Sequence, residues 1–214
     1  MIMGKRKVSY QTAKQQIEDI ESRFKIVSTL DWDLSVFPIK KNGIDFKTDK
    51  DKSREFAEVF TPLHIVDEMI QTIPEGGLTS STRNLDLCAG YGQFSIRIIR
   101  KLYEDHRYDF KLNNYLHDYH FFNELQISSC YKLLWIFGID INLAIGDALQ
   151  LGKLPSKAKG IWYYLKPVDT WMDVTGLVKR LFNGSSKSYN KNKEKKFVLA
   201  FDSIINRIGY EREH

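Results

Sequence analysis

Arg83-Asn-Leu-Asp-Leu-Cys-Ala-Gly-Tyr-Gly-Gln-Phe-Ser-Ile-Arg97 decides how this chain is read. Leu85, Leu87 and Cys88 predict a short buried strand, Gly90 and Gly92 a turn, and Phe94, Ile98, Ile99 and Leu102 a helix at the usual spacing. Glycines let the backbone turn tightly and approach a ligand closely. The first turn of the helix offers N–H groups without intrahelical partners. Asp86 ends the strand at the same crevice, where a carboxylate repels phosphate and suits a cationic group such as an ammonium. Ser95 stands where a dinucleotide fingerprint has its third glycine.

Upstream of this unit, Ala13, Ile17, Ile20, Phe24, Val27 and Leu30 form one stripe of an amphipathic helix over 10–30, with Thr12 and Gln15 as a capping box. Val36–Ile39 and Ile44–Phe46 predict a hairpin around Asn42-Gly43, with Pro38 restricting that strand to an edge. Thr61 is placed as N-cap and Pro62 as first residue of a helix with Ile65, Met69, Ile70 and Ile73 on its apolar face. Downstream, 104–118 reads as a loop with a short helix, and His117 and His120, which flank Asp118-Tyr119, read as solvated loop histidines that form no metal set. A strand then ends at Glu124, where a carboxylate suits the two donor hydroxyls of a ribose, and Ile127–Phe137 predicts a buried helix. Further strands are placed at 138–145, ending in the Gly146-Asp147-Ala148-Leu149 turn, at 160–165 and at 197–201. The stretch 183–196, with its lysines from Lys187 to Lys196, reads as a flexible basic loop.

Leu85-Asp-Leu-Cys-Ala-Gly-Tyr-Gly-Gln-Phe94 resembles the S-adenosylmethionine-binding motif of the DNA adenine-N6 methyltransferases. Three more stretches follow that family's order: Phe60-Thr61-Pro62, Glu124 with Leu125, and Asp147 with Ala148. The resemblance covers about residues 56–150. It implies S-adenosylmethionine as cofactor, held by Phe60, Thr61, Pro62, Asp86, Cys88, Ala89, Gly90, Gly92, Phe94, Glu124, Leu125, Asp147 and Ala148. In the family the Phe-Thr-Pro segment closes over the methionine end, the Leu125 position packs on adenine, and the acid at the Asp147 position accepts from the adenine amine. The implied fold is α/β and Rossmann-like: a mostly parallel sheet flanked by helices, truncated at the C-terminal side. Residues 1–55 are expected to form a tail, helix and hairpin, and 56–214 the methyltransferase-like domain.

The family's catalytic motif, Asn or Asp followed by Pro-Pro and an aromatic, is absent, because the chain contains no Pro-Pro pair. The corresponding loop reads Lys166-Pro-Val-Asp169, and Lys166 has donors only, so it cannot accept from an exocyclic amine. No catalytic residue is assigned. Three functional readings follow. One is a cofactor-binding partner subunit, regulator or decoy in DNA modification or restriction. Another is an active methyltransferase with a divergent loop at 166–169, and the third is a cofactor-free scaffold or nucleic-acid-binding module. The chain of 214 residues suits one sizeable core, and the net charge of +5 permits DNA contact through 187–196. A protein partner supplying the missing functions is also expected. No apolar run reaches the length of a membrane span, and two cysteines read as buried thiols in a reducing cytoplasm.

Overall fold

The structure is a computed structural model that describes residues 12–31, 39–40, 43–44, 61–106, 109–182 and 188–213. Phe60 and the 183–187 part of the basic stretch lie outside the described residues. Helix α1 (Ala13–Asp31) opens with the reciprocal bonds of a capping box: the Thr12 amide donates to Gln15 Oε1 at 3.0 Å and the Gln15 amide to Thr12 Oγ1 at 3.4 Å. Its stripe of Ile17, Ile20, Phe24 and Val27 is buried in the main core, each side chain contributing roughly 1.5–3 kcal/mol of gross burial energy. Strands β1 (Ile39–Lys40) and β2 (Gly43–Ile44) pair antiparallel, Ile39 with Ile44 and Lys40 with Gly43, so a hairpin is present with Gly43 inside a strand, while the rest of its expected strands lies outside the described residues. Helix α2 is Leu63–Gln71; Pro62 occupies its N-cap and no side chain caps it, so Thr61 lies one residue outside the capping position.

The central unit is β3 (Asn84–Asp86), helix α3 (Gln93–Asp105), helix α4 (Leu112–Asp118), β4 (His120–Glu124), helix α5 (Ile127–Phe137) and β5 (Asn142–Ile145). A 3-10 stretch over Ala148–Lys153 leads to β6 (Ile161–Leu165), which turns back into β7 (Thr170–Asp173). Helices α6 (Thr175–Phe182) and α7 (Lys191–Glu213) complete the described chain. The protein is therefore α/β, with a five-stranded, mostly parallel sheet flanked by helices. Helix α5 is buried along Ser129–Phe137, because it lies against β4 and β5 on one side and against α1 and α7 on the other.

The strands run in the order β3-β4-β5-β6-β7, with only β7 antiparallel. Strand order does not reverse among the described strands, so β3 sits at the edge. The sheet face carrying Phe122, Leu143, Ile145, Ile161 and Leu165 joins the helical core. The other face carries a smaller cluster of Ala144, Tyr164 and Trp171, covered by Leu151 and Leu154. This arrangement corrects the expected buried strand at Leu85–Cys88. Leu85 and Leu87 are each 51 % exposed and Cys88 is exposed, because the edge strand has no such cover on that side.

Two C-terminal expectations are also corrected. Phe197–Phe201 is helical, within α7: Phe197, Phe201 and Ile205, four residues apart, are buried while Leu199 is exposed. The fifth strand of the sheet is β7. Lys191–Lys196 consequently begins α7 and is not part of a flexible loop. No helix among the described residues is long and apolar enough to cross a membrane.

Candidate functional site

Adjacent parallel strands bring Asp86, the glycine turn, Glu124 and Asp147 to one edge of the sheet, since they follow or end β3, β4 and β5 on the same side. Backbone bonds join these ends. The Ala89 amide donates to the Asn123 carbonyl at 3.0 Å, and the Gly146 amide to the Glu124 carbonyl at 3.0 Å. Buried Asn123 uses its Nδ2 to bridge the carbonyls of Ala144 and Gly146, both at 3.0 Å.

Glu124 is the clasp of the turn. Its Oε2 accepts from the Gly90 amide at 2.8 Å and its Oε1 from the Gln126 amide at 2.8 Å. Asp147 accepts from the Leu149 amide at 2.9 Å and so caps the 3-10 stretch that begins at Ala148. Leu125, following Glu124, is exposed. Phe94 instead lies partly buried against the main core.

Gly92 is required by packing as well as by the turn. It sits at φ +87°, and a Cβ there would come within 2.4 Å of the Phe137 ring at the end of α5. Between the two glycines, Tyr91 is buried, and Lys132 reaches its hydroxyl at 3.2 Å from a position 4.4 Å from its ring centroid. Lys132 Nζ also lies 3.9 Å from Glu194 on α7, so a buried lysine links the turn to the C-terminal helix. Gln93 Nε2 is sealed from solvent and has no hydrogen-bond partner among the described residues.

Asp86 is held by Ser95 through both hydroxyl and amide. Its Oδ2 accepts from Ser95 Oγ at 2.7 Å. Burial pushes its pKa up against the lowering effect of the Ser95 hydroxyl and amide, and no cationic side chain pairs with it among the described residues. Sequence reasoning placed His120 among solvated loop residues. It is instead fully buried at the start of β4, where Ser95 and Tyr115 take its two nitrogens. The absent third glycine, Ser95, was the available signal.

Cys88, read as buried from the sequence, is exposed just before the glycine turn, and Cys130, on α5, is sealed in the core. Desolvation, then the charges of Glu124 and Asp86, raise the Cys88 pKa. A thiol reagent is therefore expected to label Cys88 slowly and Cys130 only on unfolding. Peptide mapping after timed alkylation checks this, and equal labelling of both in the native protein would contradict the burial pattern.

The Lys166–Asp169 segment is the hairpin turn between β6 and β7. Asp169, at φ +47°, is ion-paired with Lys153 at 2.5 Å and takes a hydrogen bond from Tyr164. A cavity of 270 Å³ lies elsewhere, on the sheet face near Leu85, Phe121, Leu154 and Trp162, and none of the predicted site residues lines it. Comparison with family models, with curated proteins and with solved structures finds no match to this chain.

Proposed function

We propose that this chain binds S-adenosylmethionine at the C-terminal ends of β3, β4 and β5. On this reading it is a relative of the DNA adenine-N6 methyltransferases without their catalytic loop. It acts as a partner subunit, regulator or decoy in DNA modification or restriction. The observation that carries the reading is the convergence of Asp86, the glycine turn, Glu124 and Asp147 at the C-terminal ends of three adjacent strands, with no cationic side chain paired to Asp86 among the described residues.

The residues fit the parts of the ligand. Asp86 is a poorly solvated carboxylate suited to an ammonium. The Glu124 carboxylate, which holds the glycine turn through the Gly90 and Gln126 amides, is placed at the ribose, whose two hydroxyls are donors. Exposed Leu125 offers an apolar surface to the adenine ring, and Asp147 an acceptor to its amine. Loss of the catalytic loop is supported by Asp169, whose carboxylate is occupied by Lys153 and Tyr164 within a hairpin turn. Among the described strands β3 is at the edge, and a partner chain is proposed to lie on that side. Lys193, Lys195 and Lys196, exposed on the first turns of α7, are the candidates for DNA phosphates, with binding that weakens as salt rises.

Calorimetric titration with S-adenosylmethionine tests the proposal. Saturable binding is expected in the wild type and a loss of at least about tenfold in Asp86→Ala, the scale of a charged hydrogen bond. The isolated chain is expected to transfer no methyl group to adenine in DNA. Unchanged affinity in the variant would remove Asp86 from the site, and robust methylation would refute the loss of catalysis.

A further inference from the structure

The inside of the fold contains a line of polar groups that ends on Asp86. Asn84 Nδ2 donates to the Thr82 carbonyl at 2.9 Å, which fixes the orientation of the amide, and to Tyr115 Oη at 2.8 Å. With its oxygen accepting from that amide, the Tyr115 O–H is directed to His120 Nδ1, 3.2 Å away. His120 Nδ1 is then an acceptor, so in the neutral ring the proton sits on Nε2. That nitrogen lies 2.8 Å from Ser95 Oγ, which accepts from it and passes its own proton to Asp86 Oδ2 at 2.7 Å. Every link has one donor and one acceptor, and the direction follows from the amide at the far end.

Tyr115, His120 and Ser95 are essentially inaccessible to solvent. Phe122 meets the His120 ring edge-on at 4.6 Å and Tyr115 lies 5.4 Å from it, so the imidazole is clamped by rings as well as by hydrogen bonds. Burial lowers the His120 pKa to about 3, in keeping with the neutral ring that this direction requires.

We infer that Asn84, Tyr115, His120 and Ser95 form a one-way hydrogen-bond relay that ends on Asp86 Oδ2 and, with the Ser95 amide, orients the Asp86 carboxylate for a ligand's cationic group. The four are positioning residues, none of them placed at the ligand. Donors aligned toward one carboxylate polarise one another, so the charge is stabilised without a neighbouring cation that would compete with the ligand. The assignment of the cation to an ammonium rests on the proposed function; the relay itself does not.

Two measurements test it. Long-range ¹H–¹⁵N correlation of ¹⁵N-histidine-labelled protein at neutral pH is expected to show His120 as the neutral Nε2–H tautomer; an Nδ1–H tautomer or a protonated ring overturns the relay. Binding is then measured with two probes, S-adenosylmethionine, which carries the ammonium, and methylthioadenosine, which lacks it. Ser95→Ala is expected to weaken the first about tenfold and leave the second unchanged, with Ser95→Thr recovering most of the loss. Tyr115→Phe, which deletes one oxygen at the far end, is expected to give a smaller loss in the same direction. Equal affinity for S-adenosylmethionine in all variants overturns the positioning role, as does an equal loss for both probes, which would mark general damage to the pocket. A wild type that binds neither probe overturns the cofactor reading and the ligand assignment, while the tautomer still decides the relay.

Discussion

Gly92→Ala is expected to lower the stability of the protein by about 2–5 kcal/mol. Two costs add. The residue sits at φ +87°, where an L side chain costs roughly 1–2 kcal/mol. The new methyl would also stand 2.4 and 2.8 Å from two atoms of the Phe137 ring, and overpacking of this kind costs roughly 1–3 kcal/mol. Phe137 cannot swing aside cheaply, because it is buried and packs on Phe122 at 5.0 Å between centroids. Gly76→Ala gives the first cost without the second: that residue, in the turn closed by the Gly77 amide on the Pro74 carbonyl, has φ +75° with nothing within 4 Å of a built Cβ. Urea unfolding of the two variants separates the terms. Gly92→Ala should be the worse by about 1–3 kcal/mol. Equal losses would mean that the close approach of α5 to the turn is not a constraint. The glycine that looks like a ligand-binding device in sequence is thus also the point where the fold brings two helices together.

What was legible in the sequence is what depends on neighbours along the chain. The capping box at Thr12 and Gln15, the helix at Ile127–Phe137 and the strand at Ile161–Leu165 follow from local periodicity and end signals, and all three stand as read. The meeting of the glycine turn with Glu124 was legible too, because a glycine turn after an acid and a second acid ending a strand need only two adjacent parallel strands to meet. The misreadings share a different cause. Leu85 and Leu87 are as apolar as core residues, but strand order puts β3 at an edge, and strand order is not written in local pattern. Phe197–Phe201 is a short apolar run that fits a strand or a helix equally. The four-residue spacing through Ile205, packed on α5, decides for the helix. His120 was placed in solvent because its partners, Ser95 and Tyr115, come from helices preceding its strand, and nothing near it in sequence announces them.

Glu124→Gln is expected to cost roughly 2 kcal/mol of stability in the ligand-free protein, the scale of hydrogen bonds to a charged group. The carboxylate gives one oxygen to the Gly90 amide and the other to the Gln126 amide, so both partners are donors. An amide side chain has one acceptor oxygen and one NH₂. Whichever way it is turned, one backbone N–H faces another donor, in a site where the side chain is nearly sealed from water. The expected consequence is a loosened turn at Gly90 and a lower urea midpoint before any ligand is added. Affinity for S-adenosylmethionine should fall as well, because on the proposed reading the same carboxylate meets the ribose hydroxyls. The two roles separate by experiment. A carboxylate serving the ligand alone would leave apo stability at the wild-type value while affinity drops. One serving the turn alone would lower stability and leave affinity intact once the variant is folded. Loss of both is the expected result, since one residue then holds the glycine turn closed and presents the acceptors that the ligand needs. In that case ligand binding should raise the unfolding midpoint of the wild type more than that of Glu124→Gln, as linkage between binding and folding requires.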